Sequence, residues 1–251
     1  MISTPRQHRR EYGRRMVMDN QVLILAVAWY MVFVCSTSLH EAAHAFVAWK
    51  LGDKTAYYGG QVTLNPAPHI RREPFGMVIV PILSYLLSGW MVGWASCPYD
   101  PVWALRYPRR SAMMSLAGPG ANLILVLLAA VIIRLGLALG WFYAPESIGL
   151  TNVTEAASGG LWHSVAIVLS ILFTLNMLLF VFNLIPLPPL DGSGALPLFL
   201  DESAARRYLE FLSQPAFSII GLLVAWRLFG YIFRPIHTLA LNLLYPGAGY
   251  Q

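Results

Sequence analysis

Charge is scarce in this sequence: Asp, Glu, Lys and Arg supply 12% of 251 residues, about half the share usual in soluble domains, while hydrophobic side chains supply 57%. Cysteine is nearly absent as well. Cys35 lies inside an apolar run and Cys97 stands beside Pro98, which excludes a disulfide framework and a cysteine-based zinc site. Polar stretches are few and short, at residues 1–20, 51–74, 96–110, 141–160 and 201–214, so no second soluble domain fits, and no internal repeat is visible. A net charge of +5 does not point to nucleic acid, because the cations flank apolar runs, where anionic lipid headgroups attract them.

Long apolar runs dominate what remains, at 22–49, 75–95, 112–139, 161–185 and 216–233. Most reach the roughly 20 residues with which an α-helix crosses the hydrocarbon core. Being continuously apolar rather than alternating, they exclude a β-barrel. The expected fold is an all-α polytopic membrane protein with about five hydrophobic segments. Residues 1–20 form a basic tail, 21–245 a single membrane domain and 246–251 a C-terminal tail. The first run is far longer than the h-region of a signal peptide, of about 7–15 residues, and is expected to be retained.

After the first run, Gly59, Gly60, Pro66 and Pro68 break the chain, and Gln61–Leu64 alternates like a strand. The expectation there is a short β-hairpin or re-entrant loop. The second run is interrupted by Gly76, Pro81, Ser84, Ser88, Gly89 and Gly93. It is expected to re-enter, or to return as an extended segment, since that brings the motifs of the neighbouring runs to one side.

The chemistry-bearing residues stand inside the apolar runs. His40-Glu41-Ala42-Ala43-His44 places two imidazoles one helical turn apart on one face, the spacing with which a pair of histidines grips zinc. Glu41 projects about 100° away, beside the metal but off the ligand line, where a carboxylate can take a proton from the attacking water. A structural role for such residues is disfavoured, because a charged carboxylate at the bilayer centre costs about 2.5–3.5 kcal/mol. Catalytic zinc wants a third protein ligand. Between Ala156 and Leu200 the sole acid is Asp191, which follows Pro186, Pro188 and Pro189, where the helix must unwind. Unwound backbone at membrane depth implies a cavity. A simple Asp-Gly turn is the competing role for Asp191 and Gly192.

Taken together, HEAAH, the segment Leu64-Asn65-Pro66 through His69, the run Ala117-Gly118-Pro119-Gly120-Ala121-Asn122 and the FNLIPLPPLDG ending at Gly192 resemble the site-2 protease family in its compact form, without PDZ or CBS domains. The resemblance covers about Ser38 to Gly192. It implies one zinc ion per chain held by His40, His44 and Asp191, and Glu41 as the catalytic carboxylate. It also implies hydrolysis of peptide bonds in or next to transmembrane segments of membrane proteins, with the cell membrane as location. Asn183 matches a family asparagine assigned to the active site, where its amide can steady substrate or the developing oxyanion; capping the helix end is its alternative role. Gly118 and Gly120, with Asn122, are expected to serve as packing support that lets another backbone approach, Asn176 to join helices or else to extend a polar stripe toward the site, and His69 and His163 to lie outside the ligand shell in solvent-facing or capping positions. The Gly59–Leu64 segment is expected to pair with an unwound substrate. The competing function is a membrane zinc transporter or metal sensor using the same ligands, which does not need Glu41 as a base.

Overall fold

A computed structural model describes the backbone of residues 5–251 and the side chains from Val22 onward; the arginine side chains of the basic tail lie outside the described residues. Helix α1 (Pro5–Leu51) contains the apolar stretch Val22–Leu51. No proline interrupts it after its first residue, and it stops where Gly52 turns to φ +111°, a conformation that glycine adopts without strain. The buried Asp53 then anchors the following loop. Its carboxylate accepts hydrogen bonds from the Thr55 amide (2.9 Å) and hydroxyl (2.6 Å) and, across the fold, from the Asp100 amide (2.9 Å).

Two short helices follow, α2 (Thr55–Tyr58) and α3 (Pro66–Arg72), the second capped by the Asn65 side chain on the Ala67 amide. The strand expected at Gln61–Leu64 is not formed. Its polar groups are spent locally: the Gln61 amide donates to Ala56, the Thr63 hydroxyl accepts from the Asn65 amide, and the Thr63 carbonyl accepts from the His69 ring. The two-stranded hairpin stands elsewhere, β1 (Phe142–Tyr143) pairing antiparallel with β2 (Glu155–Ala156).

The second apolar run doubles back on itself. A π-helical turn, Phe75–Ile79, continues into α4 (Val80–Ser88), an apolar stretch of 14 residues that rises only about 21 Å, short of the roughly 30 Å core. Gly89 caps it at φ +76°, and residues 90–100 return extended. The Val92 amide donates to Ser84 Oγ (3.0 Å), and the Trp94 amide reaches back to the Gly76 carbonyl (3.1 Å) at the start of the helix. Both ends of the segment therefore lie together. A Cβ on Gly76 would strike the Trp94 backbone, and one on Gly93 would strike the Gly76 carbonyl, so two glycines permit the close return.

After α5 (Pro101–Arg106), the spans α6 (Pro108–Ala138) and α7 (Leu161–Asn183) cross on either side of the β1–β2 hairpin. A broken loop leads to α8 (Asp191–Ala195), a 3-10 turn (Leu196–Phe199), the amphipathic α9 (Glu202–Leu212) and the last span, α10 (Pro215–Leu244). With α1, these make four helices among the described residues that are long and apolar enough to cross a membrane. One apolar core, including Val126, Ile133, Phe173 and Leu241, joins α6, α7, the hairpin and the far end of α10. A second, including Trp29, Phe33, Tyr85 and Ile171, joins α1, α4 and α7.

The re-entrant path gives a topological test. In protein with Cys35 and Cys97 replaced by Ser, Pro74→Cys and Tyr99→Cys should react with a membrane-impermeant thiol reagent from the same face of sealed vesicles. Labelling from opposite faces would mean that residues 75–99 span.

Candidate metal centre and active site

Three elements remote in sequence meet at one point. His40 and His44 project from α1 with their Nε2 atoms 3.0 Å apart, and Asp191 Oδ2 at the start of α8 lies 3.1 Å from His40 Nε2 and 3.3 Å from His44 Nε2. A tetrahedral ion about 2.0–2.1 Å from each ligand sets those ligands about 3.3 Å apart. The triangle is thus close to one face of a zinc tetrahedron, and these residues group as potential metal ligands.

Hydrogen bonding on the far side of each ring decides which atoms face the centre. His40 Nδ1 donates to Asn122 Oδ1 (2.5 Å), and His44 Nδ1 donates to the Met114 carbonyl (2.7 Å). A neutral ring that donates from Nδ1 presents a lone pair at Nε2. Two such lone pairs and a carboxylate oxygen without a hydrogen-bond donor therefore point at one another in a buried space. That arrangement is repulsive unless a cation sits between them, which is the test that the residues present fit a metal.

Helix α6 supplies both ring partners. Pro119 lacks an N–H and withdraws the ladder donor of Ser115, next to the Met114 carbonyl that serves His44. Gly118 faces the histidines directly; a Cβ there would collide with the Nε2 atoms of both His40 and His44. The close approach expected at this glycine is made by ligand side chains rather than backbone, and Gly120 faces open space. Asn122, read from sequence only as packing support, is instead the residue that orients His40. Its Nδ2 donates to Asn176 Oδ1 (2.8 Å), and Asn176 Nδ2 donates to Ser36 Oγ (2.9 Å) and the Leu172 carbonyl (2.8 Å). Asn176 thus joins α1, α6 and α7 and also continues the line to the ligands. A signal was present in the sequence: a lone Asn inside an apolar run must find partners within the bundle.

Glu41 stands between His40 and His44 in the chain, 5% exposed, with Oε2 buried and without a hydrogen-bond partner. It lines a cavity of about 440 Å³ together with His40, His44, Cys97, Asn183 and Asp191. Asn183 is half-buried at the end of α7 and donates one N–H to the Leu179 carbonyl (3.0 Å). Burial pushes the Cys97 thiol up, and the nearby Glu41 carboxylate adds to the shift. His69 is 1% exposed rather than solvent-facing, its Nε2 bonded to Thr63, while His163 is exposed.

A model of Peptidase family M50 matches residues 28–227, a stretch that holds all of these residues. The chain belongs to that family. Among curated relatives, YwhC of Bacillus subtilis, a zinc metalloprotease by name, is 36% identical over 172 residues, 67% of this chain and 68% of its own. Rip2 of Mycolicibacterium smegmatis, named likewise, is 31% identical over 204 residues, 81% of this chain and 67% of its own. Rip2 of Mycobacterium tuberculosis is 29% identical over 218 residues, 87% of this chain and 73% of its own. No solved structure matches significantly. This M50 peptidase is therefore a zinc metalloprotease, and its apolar helices make it an integral membrane protein.

Metal analysis of purified protein tests the centre. His40→Ala, His44→Ala and Asp191→Ala should each remove most of the bound zinc. Asn122→Ala, which frees His40 to rotate, should weaken zinc binding by about 10–100-fold. Gly118→Ala should be as damaging as the loss of a ligand, because its methyl group takes the space of both ring nitrogens.

Proposed function

We propose that this metalloprotease cleaves peptide bonds in or next to transmembrane segments of membrane proteins, as the proteolytic step of regulated intramembrane proteolysis in the cell membrane. His40, His44 and Asp191 hold the zinc ion, and Glu41 is the catalytic carboxylate. One observation carries the reading. The His-Glu-His constellation stands within the apolar span Val22–Leu51, with His40 eleven residues, about 17 Å, before the end of α1. A scissile bond that reaches it must enter to that depth.

Bound zinc would supply Lewis acidity, polarising the scissile carbonyl and making water a better nucleophile. The remaining work falls to the chain. Glu41 takes the proton of the attacking water through Oε2, which no other donor occupies, and passes it to the departing amine nitrogen. Asn183, at the cavity wall, keeps an amide oxygen and a second N–H for the substrate backbone.

A transmembrane helix hides its amides in its own hydrogen bonds, so the substrate must unwind before it reacts. The extended stretch Ala95–Tyr99 suits an unwound chain better than Gly59–Leu64. It borders the cavity through Ala95, Ser96, Cys97 and Tyr99, and among the described residues its main chain makes no backbone–backbone hydrogen bond. The N–H groups of Ala95, Ser96, Cys97 and Tyr99 and the carbonyls other than that of Pro98, which accepts from the Cys97 thiol, can pair with an added strand.

The test uses full-length protein in vesicles with a single-span membrane protein as substrate. The native chain should cut it, whereas Glu41→Gln should lower the rate by at least about 100-fold at unchanged zinc content. Cleavage confined to soluble peptides, or a Glu41→Gln protein that works as well as the native one, would overturn the reading. The second outcome would instead favour a metal transporter or sensor.

A further inference from the structure

The last span, α10, carries charge where a lipid-facing helix should not. In the stretch before Arg227, the buried Gly221 and Ala225 mark the side that packs on the protein; a Cβ at Gly221 would strike the Pro188 carbonyl, and Ala225 packs with Ile185 and Leu190, while the buried Leu241 and Leu244 come after Pro235 interrupts the helix. Arg227 and Arg234 are both exposed. Two and nine residues past Ala225, they lie about 200° and 180° around the helix, opposite the side that Gly221 and Ala225 present to the proline loop. Neither takes part in an ion pair among the described residues.

Depth cannot relieve both. About 20 residues cross the hydrocarbon core, and every 20-residue window within the 30 residues of α10 contains both arginines. They stand seven residues apart, about 10 Å along the axis, so wherever the core falls at least one lies about 9 Å or more inside its nearer edge. An ionised guanidinium at such a depth is held in structures by an anionic or carbonyl partner, and a headgroup at the membrane surface is poorly placed to serve both. A second copy of this chain does not supply the partner either. Among the described residues the sole acid within any of the four spans is Glu41, which is buried at the metal centre. Two α10 faces brought together would set cation against cation.

The geometry points to the outer face of α10, centred on Arg227 and Arg234 with Leu223, Gly230 and Tyr231 between and beside them, as a docking surface for a transmembrane helix of another protein that carries a carboxylate at the same depth. Leu223 and Tyr231 are exposed and supply apolar contact, and Gly230 has open space around it, which lets a partner backbone come close. The surface is separate from the catalytic cavity and is independent of which bond the enzyme cuts.

Fluorescence energy transfer between the labelled full-length protein and a synthetic Leu/Ala span in phosphatidylcholine vesicles tests it. A probe with one mid-span Glu should associate at least tenfold more tightly than its Gln counterpart. Arg227→Leu and Arg234→Leu together should bring the two probes within about threefold, while Arg227→Lys keeps the preference; native zinc content shows that the variants are folded. Equal binding of the Glu and Gln probes to the native protein overturns the proposal, and that comparison needs no variant. So does a preference that survives the double Leu substitution, one that requires added anionic lipid and so assigns the arginines to headgroups, or energy transfer between copies of the chain that the Leu substitutions abolish.

Discussion

Three electron-rich atoms held about 3 Å apart inside an apolar bundle are the constraint on which the rest of this structure depends. The Nε2 atoms of His40 and His44 and the Oδ2 atom of Asp191 repel one another in a medium of low dielectric, so the fold must hold them together against that repulsion until a cation makes the arrangement favourable. It does so with rigid parts. Two of the donors share one helix; the third stands at the first residue of another, after a proline-broken loop. Gly192 lets that loop close on the end of α7, since a Cβ there would meet the Leu184 and Ile185 carbonyls. Gly118 clears the other side.

Direction in the hydrogen-bond network matters as much as position. Asn176 gives its amide hydrogens to Ser36 and to the Leu172 carbonyl, so its oxygen is left to accept from Asn122. Asn122 therefore presents its own oxygen to His40, which must donate from Nδ1 and keep Nε2 bare. A chain of two amides, one on α7 and one on α6, thus sets the tautomer of His40. In water such bonds would contribute little, because solvent could replace any of them. Inside the bundle no solvent competes, and a reversed amide would leave two donors or two acceptors facing each other.

Much of this was legible in the sequence because it obeys short-range rules. Helical spacing fixes the relation of His40 to His44, run length identifies the spans, and the glycines and prolines of 75–95 mark a segment that turns back on itself. Asp191 could be singled out because no other acid lies nearby. What was not legible depends on partners far along the chain. Nothing local says that Asn122 meets His40 rather than another helix, or that Gly118 faces two imidazoles. The alternation of Gln61–Leu64 was a true pattern without a strand, because four residues hold too few hydrogen bonds to compete with the caps and turns on either side. The hairpin formed instead where the chain must cover the far ends of α6 and α7, and there the Tyr245 hydroxyl ties it to α10 through the Val153 carbonyl.

The proline loop couples the metal centre to the outermost helix. α10 lies against that loop through Gly221 and Ala225, small residues that allow close approach, and the loop ends at Asp191. A shift of α10 along or away from the bundle would therefore act on backbone only a few residues from a ligand. The centre tolerates little movement, since a displacement of one ångström exceeds the latitude of a zinc–oxygen bond. The inner ligands on α1 are insulated from such a shift by α6 and α7, whereas Asp191 is not. Of the three donors, Asp191 is the one carried by the loop that packs directly on α10.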